Sequence, residues 1–212
     1  MIPRRRPGLI PPVPWSVSLS LDAPGFTSFD ALRDAALGCT ACGLAETRTQ
    51  VVFGVGDPHA DLVFVGEGPG EQEDLQGEPF VGRAGQLLTR LIEGIGLTRD
   101  DVYIANVVKC RPPGNRDPQP VEIATCRPYL DAQLGFISPT VVVTLGNFAT
   151  KLLLETKEGI TKLRGREFPF RDGAVLIPAL HPSAVLRNGG GALAQTRADF
   201  VGVKRALQRA RG

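Results

Sequence analysis

The sequence predicts an α/β fold in which a parallel sheet is covered by helices on both faces. Three observations carry this expectation. Short apolar runs recur at 61–66, 102–108, 140–145 and 174–180. They are apolar throughout rather than alternating, as strands buried on both faces are. Between and after them lie segments whose apolar residues fall at helical spacing. Such strand–helix alternation implies parallel strands joined by crossover helices.

The elements follow in order. Residues 1–27 are rich in proline and hold no sustained period, so they read as an arm ahead of a body spanning 28–212. Trp15 is expected to pin that arm by packing. Arg4, Arg5 and Arg6 precede Pro11, Pro12 and Pro14, which interrupt the apolar stretch a secretory signal needs. No apolar run approaches the roughly 18–20 residues that span a membrane, and the chain reads as cytoplasmic. Phe29 to Leu37 has helical spacing, with Gly38 as its stop. Helices are expected at 85–95, where Leu87, Leu88, Leu91, Ile92 and Ile95 share a face, and at 121–137, 146–154 and 192–210. In open parallel sheets the ligand crevice lies beyond the carboxyl ends of the strands. The loops to inspect therefore follow Gly66, Asn106, Leu145 and Leu180.

With 212 residues and a 42% apolar fraction, the chain can bury a substantial core. Its net charge is only +2, so any nucleic-acid contact must come from basic residues gathered on one face. There are four cysteines, and in a cytosolic chain these more often mark a metal or redox site than disulfides. Cys39 and Cys42 form a close pair, while Cys110 and Cys126 lie far away in sequence. Four thiolates suit a tetrahedral zinc or a four-iron cluster. A zinc ribbon repeats the close pair, and the spread of the second pair tilts the reading toward iron–sulfur. The alternative is that Cys110 and Cys126 are buried core thiols.

Gly66-Glu67-Gly68-Pro69-Gly70 follows the first strand but lacks the Gly-Lys-Ser/Thr of a phosphate loop. Glu67, Glu71, Glu73 and Asp74 would also repel a pyrophosphate. The segment is either a tight turn that a ligand can approach closely or an acidic surface turn. Phe80 lies in a Gly/Pro-rich loop, where it either stacks on a base or closes the core. Asn106 ends a strand and either caps it or reads a ligand edge. Its amide offers a donor beside an acceptor, which matches N3–H and O4 of uracil, whereas cytosine shows the opposite pattern. Lys109 to Arg116 is a basic, Pro-rich loop. Lys162, Arg164 and Arg166 form a second basic group, and Arg187 lies near a third loop. Together they suit a phosphate backbone, and singly each reads as solvated charge. The chain has two histidines. His59 sits in a polar turn. His181 ends the last strand, as a satisfied structural group or as a group acting on a leaving group. Val185 and Leu186, flanking Arg187, offer an apolar wedge for a vacated base stack.

Taken together, these segments resemble the family 4 uracil-DNA glycosylases, the thermostable iron–sulfur branch of that superfamily. The matching pieces are Cys39-x-x-Cys42, Gly66 to Glu71 with Glu73-Asp74, Pro79 to Gly82, Asn106 to Pro113, Cys126 to Tyr129, Leu163 to Gly165 and His181 to Ser183. The resemblance runs from about residue 30 to the C-terminus. It implies a three-layer α/β/α sandwich with a central four-stranded parallel sheet. It also implies a structural 4Fe-4S cluster on Cys39, Cys42, Cys110 and Cys126, and no nucleotide cofactor or catalytic metal. The implied reaction is hydrolysis of the N-glycosidic bond of deoxyuridine in single- or double-stranded DNA, giving free uracil and an abasic site in base-excision repair.

By position, Phe80 should stack on the flipped uracil and Asn106 should read its edge. Gly68 should offer its backbone, and Glu67 should line the pocket near C5. Glu73 should brace the first loop, and His181 should stabilise negative charge on uracil O2. His181, Glu67 and Gly68 form the implied catalytic set. Lys109, Arg111, Arg164, Leu186 and Arg187 are the implied DNA contacts. The broader superfamily has an Asp in the first loop to orient the water; the matching position here is Gly68, which leaves the water-activating group unassigned. A monomer is expected, and no residue pattern supports a replication-clamp contact. The rival readings are a binding module, an inactive cluster-bearing scaffold, and a glycosylase with wider tastes that accepts hypoxanthine or xanthine. A related subgroup captures uracil with a loop histidine, and between His59 and His181 this chain has none.

Overall fold

The computed structural model describes residues 25–211. The expected N-terminal arm, Trp15 included, lies outside the described residues except for its last few. Of these, Phe26 packs on Tyr129 with ring centroids 6.2 Å apart. The strands are β1 (Val55–Gly56), β2 (Leu62–Gly66), β3 (Tyr103–Asn106), β4 (Val141–Leu145), β5 (Phe168–Pro169) and β6 (Val175–Ala179). The α-helices are α1 (Phe29–Leu37), α2 (Glu71–Gln76), α3 (Arg83–Glu93), α4 (Pro120–Ile137), α5 (Asn147–Leu153), α6 (Ile160–Leu163), α7 (Pro182–Asn188) and α8 (Gly190–Arg211).

The sheet order is β1-β3-β2-β4-β6-β5. The inner strands β3, β2, β4 and β6 pair in parallel, as the apolar runs predicted. Two-residue antiparallel strands cap each edge. Those edges carry too few residues to show a period, which is why the sequence pattern predicts only the inner strands. Every residue of β2 and of β4 is buried, and the pleat sends neighbours to opposite layers. Val63 and Val65 of β2 enter a core with Leu130 and Leu134 of α4 and Leu153 of α5. Leu62 and Phe64 enter the other core, with Leu88 and Ile92 of α3 and Phe200 and Val203 of α8. The result is three layers, with the Phe64 and Phe200 rings stacked at 5.6 Å.

Local sequence sets the helix ends. The Ser28 side chain accepts the Ala31 amide to start α1, and Gly38 ends it. Gln119 and Glu122 form a capping box at α4, with Pro120 in its first turn. The strand order reverses across β2, because the chain leaves it for β3 on one side and later returns to β4 on the other. That switch point opens a crevice at the carboxyl ends of the parallel strands. Among the described residues, no helix is long and apolar enough to cross a membrane.

Candidate active site

Gly66 and Asn106 are paired at the carboxyl ends of β2 and β3. The ladder runs on into the loops, with the Val107 and Val108 amides donating to the Gly66 and Glu67 carbonyls at 2.9 and 3.1 Å. The first loop and the basic loop therefore leave the sheet zipped together. Gly66 has no room for a side chain. A Cβ there would press on Asn106 Oδ1 and lie 2.6 Å from Phe80 Cζ. Asn106 is 2% exposed, and its Oδ1 is buried without a hydrogen-bond partner among the described residues. An orphaned buried acceptor costs about 1–3 kcal/mol, and such groups call for a specific reason, a missing ligand among them.

Phe80 is buried and holds a left-handed backbone, φ 55°. For a bulky side chain that conformation is strained and persists only where the surroundings impose it. Here its backbone is clamped from two sides. Arg99 donates to the Pro79 carbonyl at 2.8 Å and to the Phe80 carbonyl at 3.3 Å. Glu73 of α2 accepts the Val81 and Gly82 amides at 2.9 and 3.1 Å. Glu73 thus braces the first loop against the Phe80 loop. The Phe80 ring lies 5.7 Å from the His181 ring, tilted by 36°.

His181 is the N-cap of α7. Its Nδ1 accepts the Ser183 amide at 3.2 Å and meets Ser183 Oγ at 2.7 Å. With a backbone N–H aimed at Nδ1, the neutral ring carries its proton on Nε2. Burial, assisted by the Arg187 charge and opposed by Glu73, pushes the imidazole down to about 4. Gly146, at the end of β4 with φ 94°, lets the backbone pass so close that a Cβ would sit 2.9 Å from His181 Cβ. Glu67 is half-buried, and burial with the nearby Asp117 charge raises its carboxyl. Gly68 lies against Val108, whose Cγ2 would be 2.7 Å from an added Cβ.

Asn106, Phe80 and His181, far apart in sequence, are thus brought together, with Glu67 and Gly68 leading out of β2 alongside. One of the expected DNA contacts, Lys109, is corrected, and another, Arg164, is held in an intramolecular pair. Lys109 is 2% exposed, with its Nζ donating to the Asn106 carbonyl at 2.8 Å and to Gln133 Oε1. It points inward because a buried amide and a strand-end carbonyl both need a donor there. Arg164 is drawn onto α8, donating to Asp199 at 2.8 Å and to the Gln195 carbonyl at 2.5 Å, with its side chain 20% exposed. Arg111 is half-buried and donates to Asn115 Oδ1 at 2.7 Å. Val185 is a core residue at 2% exposure, which removes it from the wedge, whereas Leu186 is 41% exposed and Arg187 is exposed beside it.

Cys39, Cys42, Cys110 and Cys126 are all unpaired. They line one cavity together with Arg48, Lys109 and Tyr129. Arg48 donates to Cys110 Sγ at 3.3 Å, and the Lys109 amide donates to Cys126 Sγ at 3.2 Å. Among the described residues, no group of three or more His, Cys, Asp or Glu side chains closes on a single metal ion.

Several residues of the site escape sequence reasoning. Arg99 and Arg48 act through distant backbone and sulfur atoms, with no local signal. Asp74, which the sequence shows only as one of the loop acids, is buried and accepts the Thr49 amide at 2.9 Å, tying α2 to the segment after the first cysteine pair. Ser183 was legible in principle, because it stands two residues after the candidate histidine at a helix start.

The family model of the uracil DNA glycosylase superfamily matches residues 53–208. The chain is 53% identical over 151 residues to a Type-4 uracil-DNA glycosylase of Thermotoga maritima, covering 71% of this chain and 79% of that protein. It is 46% identical over 169 residues to a Type-4 uracil-DNA glycosylase of Sulfurisphaera tokodaii, covering 76% and 77%. A Type-4 uracil-DNA glycosylase of Archaeoglobus fulgidus is 45% identical over 166 residues, covering 75% and 83%. The strand-end cluster of Asn106, Phe80 and His181 thus sits within the matched segment, and the chain belongs to the uracil DNA glycosylase superfamily.

Proposed function

We infer that this protein is a DNA-repair glycosylase that hydrolyses the N-glycosidic bond of deoxyuridine in DNA, releasing uracil and leaving an abasic site. The observation that carries this reading is the buried, unpartnered Oδ1 of Asn106, set in one crevice with Phe80 and His181. A flipped uracil stacks on Phe80 and supplies the missing donor, its N3–H, to Oδ1, while Nδ2 donates to O4. Cytosine presents an acceptor at N3 and a donor at C4, so both contacts become repulsive. Glu67 lines the pocket near C5, where a thymine methyl meets it, and the Gly68 backbone faces the base.

The C1′–N1 bond breaks with its electron pair moving into the pyrimidine. His181 donates Nε2–H to O2, where negative charge grows, and the neutral ring stabilises that anion without needing to lose a charge. A water oxygen bonds to C1′ and releases a proton, and the uracil anion takes up one. Base flipping precedes these steps and costs a few kcal/mol. Arg111, Leu186 and Arg187 meet the DNA, and the enzyme acts as a monomer.

Cys39, Cys42, Cys110 and Cys126 hold an iron–sulfur cluster of the 4Fe-4S type. Two features support the fit. The four thiols line one cavity, and four thiolates are the donor set that a four-iron cluster takes. N–H groups also point at two of the sulfurs. When bound, the cluster supplies a structural cross-link between the N-terminal segment, the basic loop and α4. The decisive test is incubation with strands bearing uracil, hypoxanthine or thymine, followed by alkali. Cleavage confined to uracil is expected. Cleavage of none of them sinks the reading, and equal cleavage at hypoxanthine replaces it with a broader glycosylase.

A further inference from the structure

We propose that Lys109 is a positioning residue for Asn106, holding the uracil-reading amide through its backbone carbonyl. The proposal rests on the reading of Asn106 given above. Lys109 sits three residues beyond Asn106, at the point where the ladder of β3 ends and the Asn106 carbonyl needs a new donor. Its Nζ supplies that donor at 2.8 Å. The same ammonium is anchored on Gln133 Oε1, and Gln133 is itself fixed, its Nε2 donating to the Phe53 carbonyl at 2.9 Å and meeting the Tyr103 hydroxyl at 3.2 Å. The Lys109 backbone is held as well, since its carbonyl accepts the Val52 amide at 2.7 Å. Gln133 is 0% exposed and Lys109 2% exposed, so the chain of bonds is shielded from water.

A lysine buried this deeply is rare and expensive to desolvate; both acceptors of its ammonium are neutral, and the Cys126 and Cys110 sulfurs beside it favour its charge without bonding its Nζ. A purely apolar side chain would fill the same space without that penalty, but it would leave the Asn106 carbonyl free to rotate the residue whose Oδ1 must meet the base. Discrimination by a buried amide depends on its being held rigidly. Lys109 touches no substrate in this scheme. It acts through Asn106.

The test is a double-mutant cycle on the full chain, read as the single-turnover rate of uracil excision with iron content and thermal midpoint as controls. Lys109→Met should lower the rate roughly 10-fold to 100-fold, the range for losing a charge-assisted hydrogen bond. In an Asn106→Ala background the same substitution should change the rate by no more than about two-fold, because residues acting as a unit are not additive. Lys109→Gln keeps a neutral donor and should fall between Lys and Met. It also carries the test if the Met variant does not fold. An equal loss in both backgrounds would mean a general structural role and overturn the proposal. An Asn106→Ala enzyme with full activity would remove the reading on which the proposal rests, and the proposal with it.

Discussion

At the scale of single residues, the proposed chemistry rests on two side chains, Asn106 and His181, whose surroundings are unusual. Asn106 keeps an acceptor buried and unpaired, so its removal should do more harm than loss of a stacking face. Asn106→Ala is expected to reduce the excision rate roughly 100-fold or more, since a site built to hydrogen-bond its substrate loses most when that bond is removed. Phe80→Leu, which forfeits stacking worth about 1–3 kcal/mol per base at most, should lose less. Equal losses under single turnover would argue against edge reading.

His181 carries the second prediction. Its imidazole stays neutral down to about 4, whereas in the unfolded chain it takes a proton near 6.5. Between those values the unfolded state binds more protons, so stability falls as pH drops through that window and is fully recovered above it. Thermal melts should show the midpoint of His181→Asn falling less between about pH 6.5 and 4.5 than that of the parent. An identical acid slope in both proteins would contradict a buried neutral His181.

At the scale of elements, the site is a meeting of strand ends and short helices. The β2 and β3 ends place Gly66 beside Asn106, and the end of β4 gives His181 its close approach past Gly146. The strained Phe80 turn is held by α2 through Glu73 and by Arg99 from the segment before β3. Arg99 donates to backbone carbonyls of the Phe80 turn and, at 3.5 Å, to Thr89 Oγ1, so any effect of its loss on activity is expected to run through loop geometry. Arg99→Met keeps the stem and removes those bonds. It is expected to cut excision about 10-fold, the scale of one or two lost hydrogen bonds, and to raise protease cleavage at 78–82. An unchanged rate would mean that the Phe80 turn holds its conformation by packing alone.

The short α2, α6 and α7 are legible only in hindsight, because six, four and seven residues are too few to display a helical period. The long α3 shows itself plainly in sequence by its apolar stripe, whereas the Gln119–Glu122 capping box of α4 is seen only in the structure.

At the scale of the whole molecule, cysteines from three remote segments line one cavity, where the proposed cluster would cross-link them. Cys39 and Cys42 follow α1, Cys110 lies in the basic loop, and Cys126 sits in α4. A cross-link of that span, treated by analogy with a disulfide, is worth about 2–5 kcal/mol. Cys39→Ala should therefore lower the thermal midpoint by roughly 4–20 °C at about 2–4 °C per kcal/mol, and the parent protein should carry about four irons per chain. Stoichiometric zinc in the parent, or an unaltered midpoint in the variant, would count against the cluster. The net charge of +2 also gains meaning at this scale. Part of the basic charge is paired within the chain, with Arg164 on Asp199, Arg171 on Asp131 and Arg116 on Glu122. The proposed DNA face would then rest on fewer cations than the basic loops alone imply.

By itself the sequence determined the parallel sheet, its helix layers, the strand-end loops and the identities of Asn106, Phe80, His181 and the four cysteines. These are legible because burial on both faces writes continuous apolar runs, and because unusual residues stand at the ends of those runs. Only the tertiary structure decided which basic residues face outward. Lys109 and Arg164 read as surface charge, yet each is turned inward by polar groups more than twenty residues away, Gln133 and Asp199. A charge settles where its hydrogen bonds are, and the partners that fix it are brought near only when the chain folds.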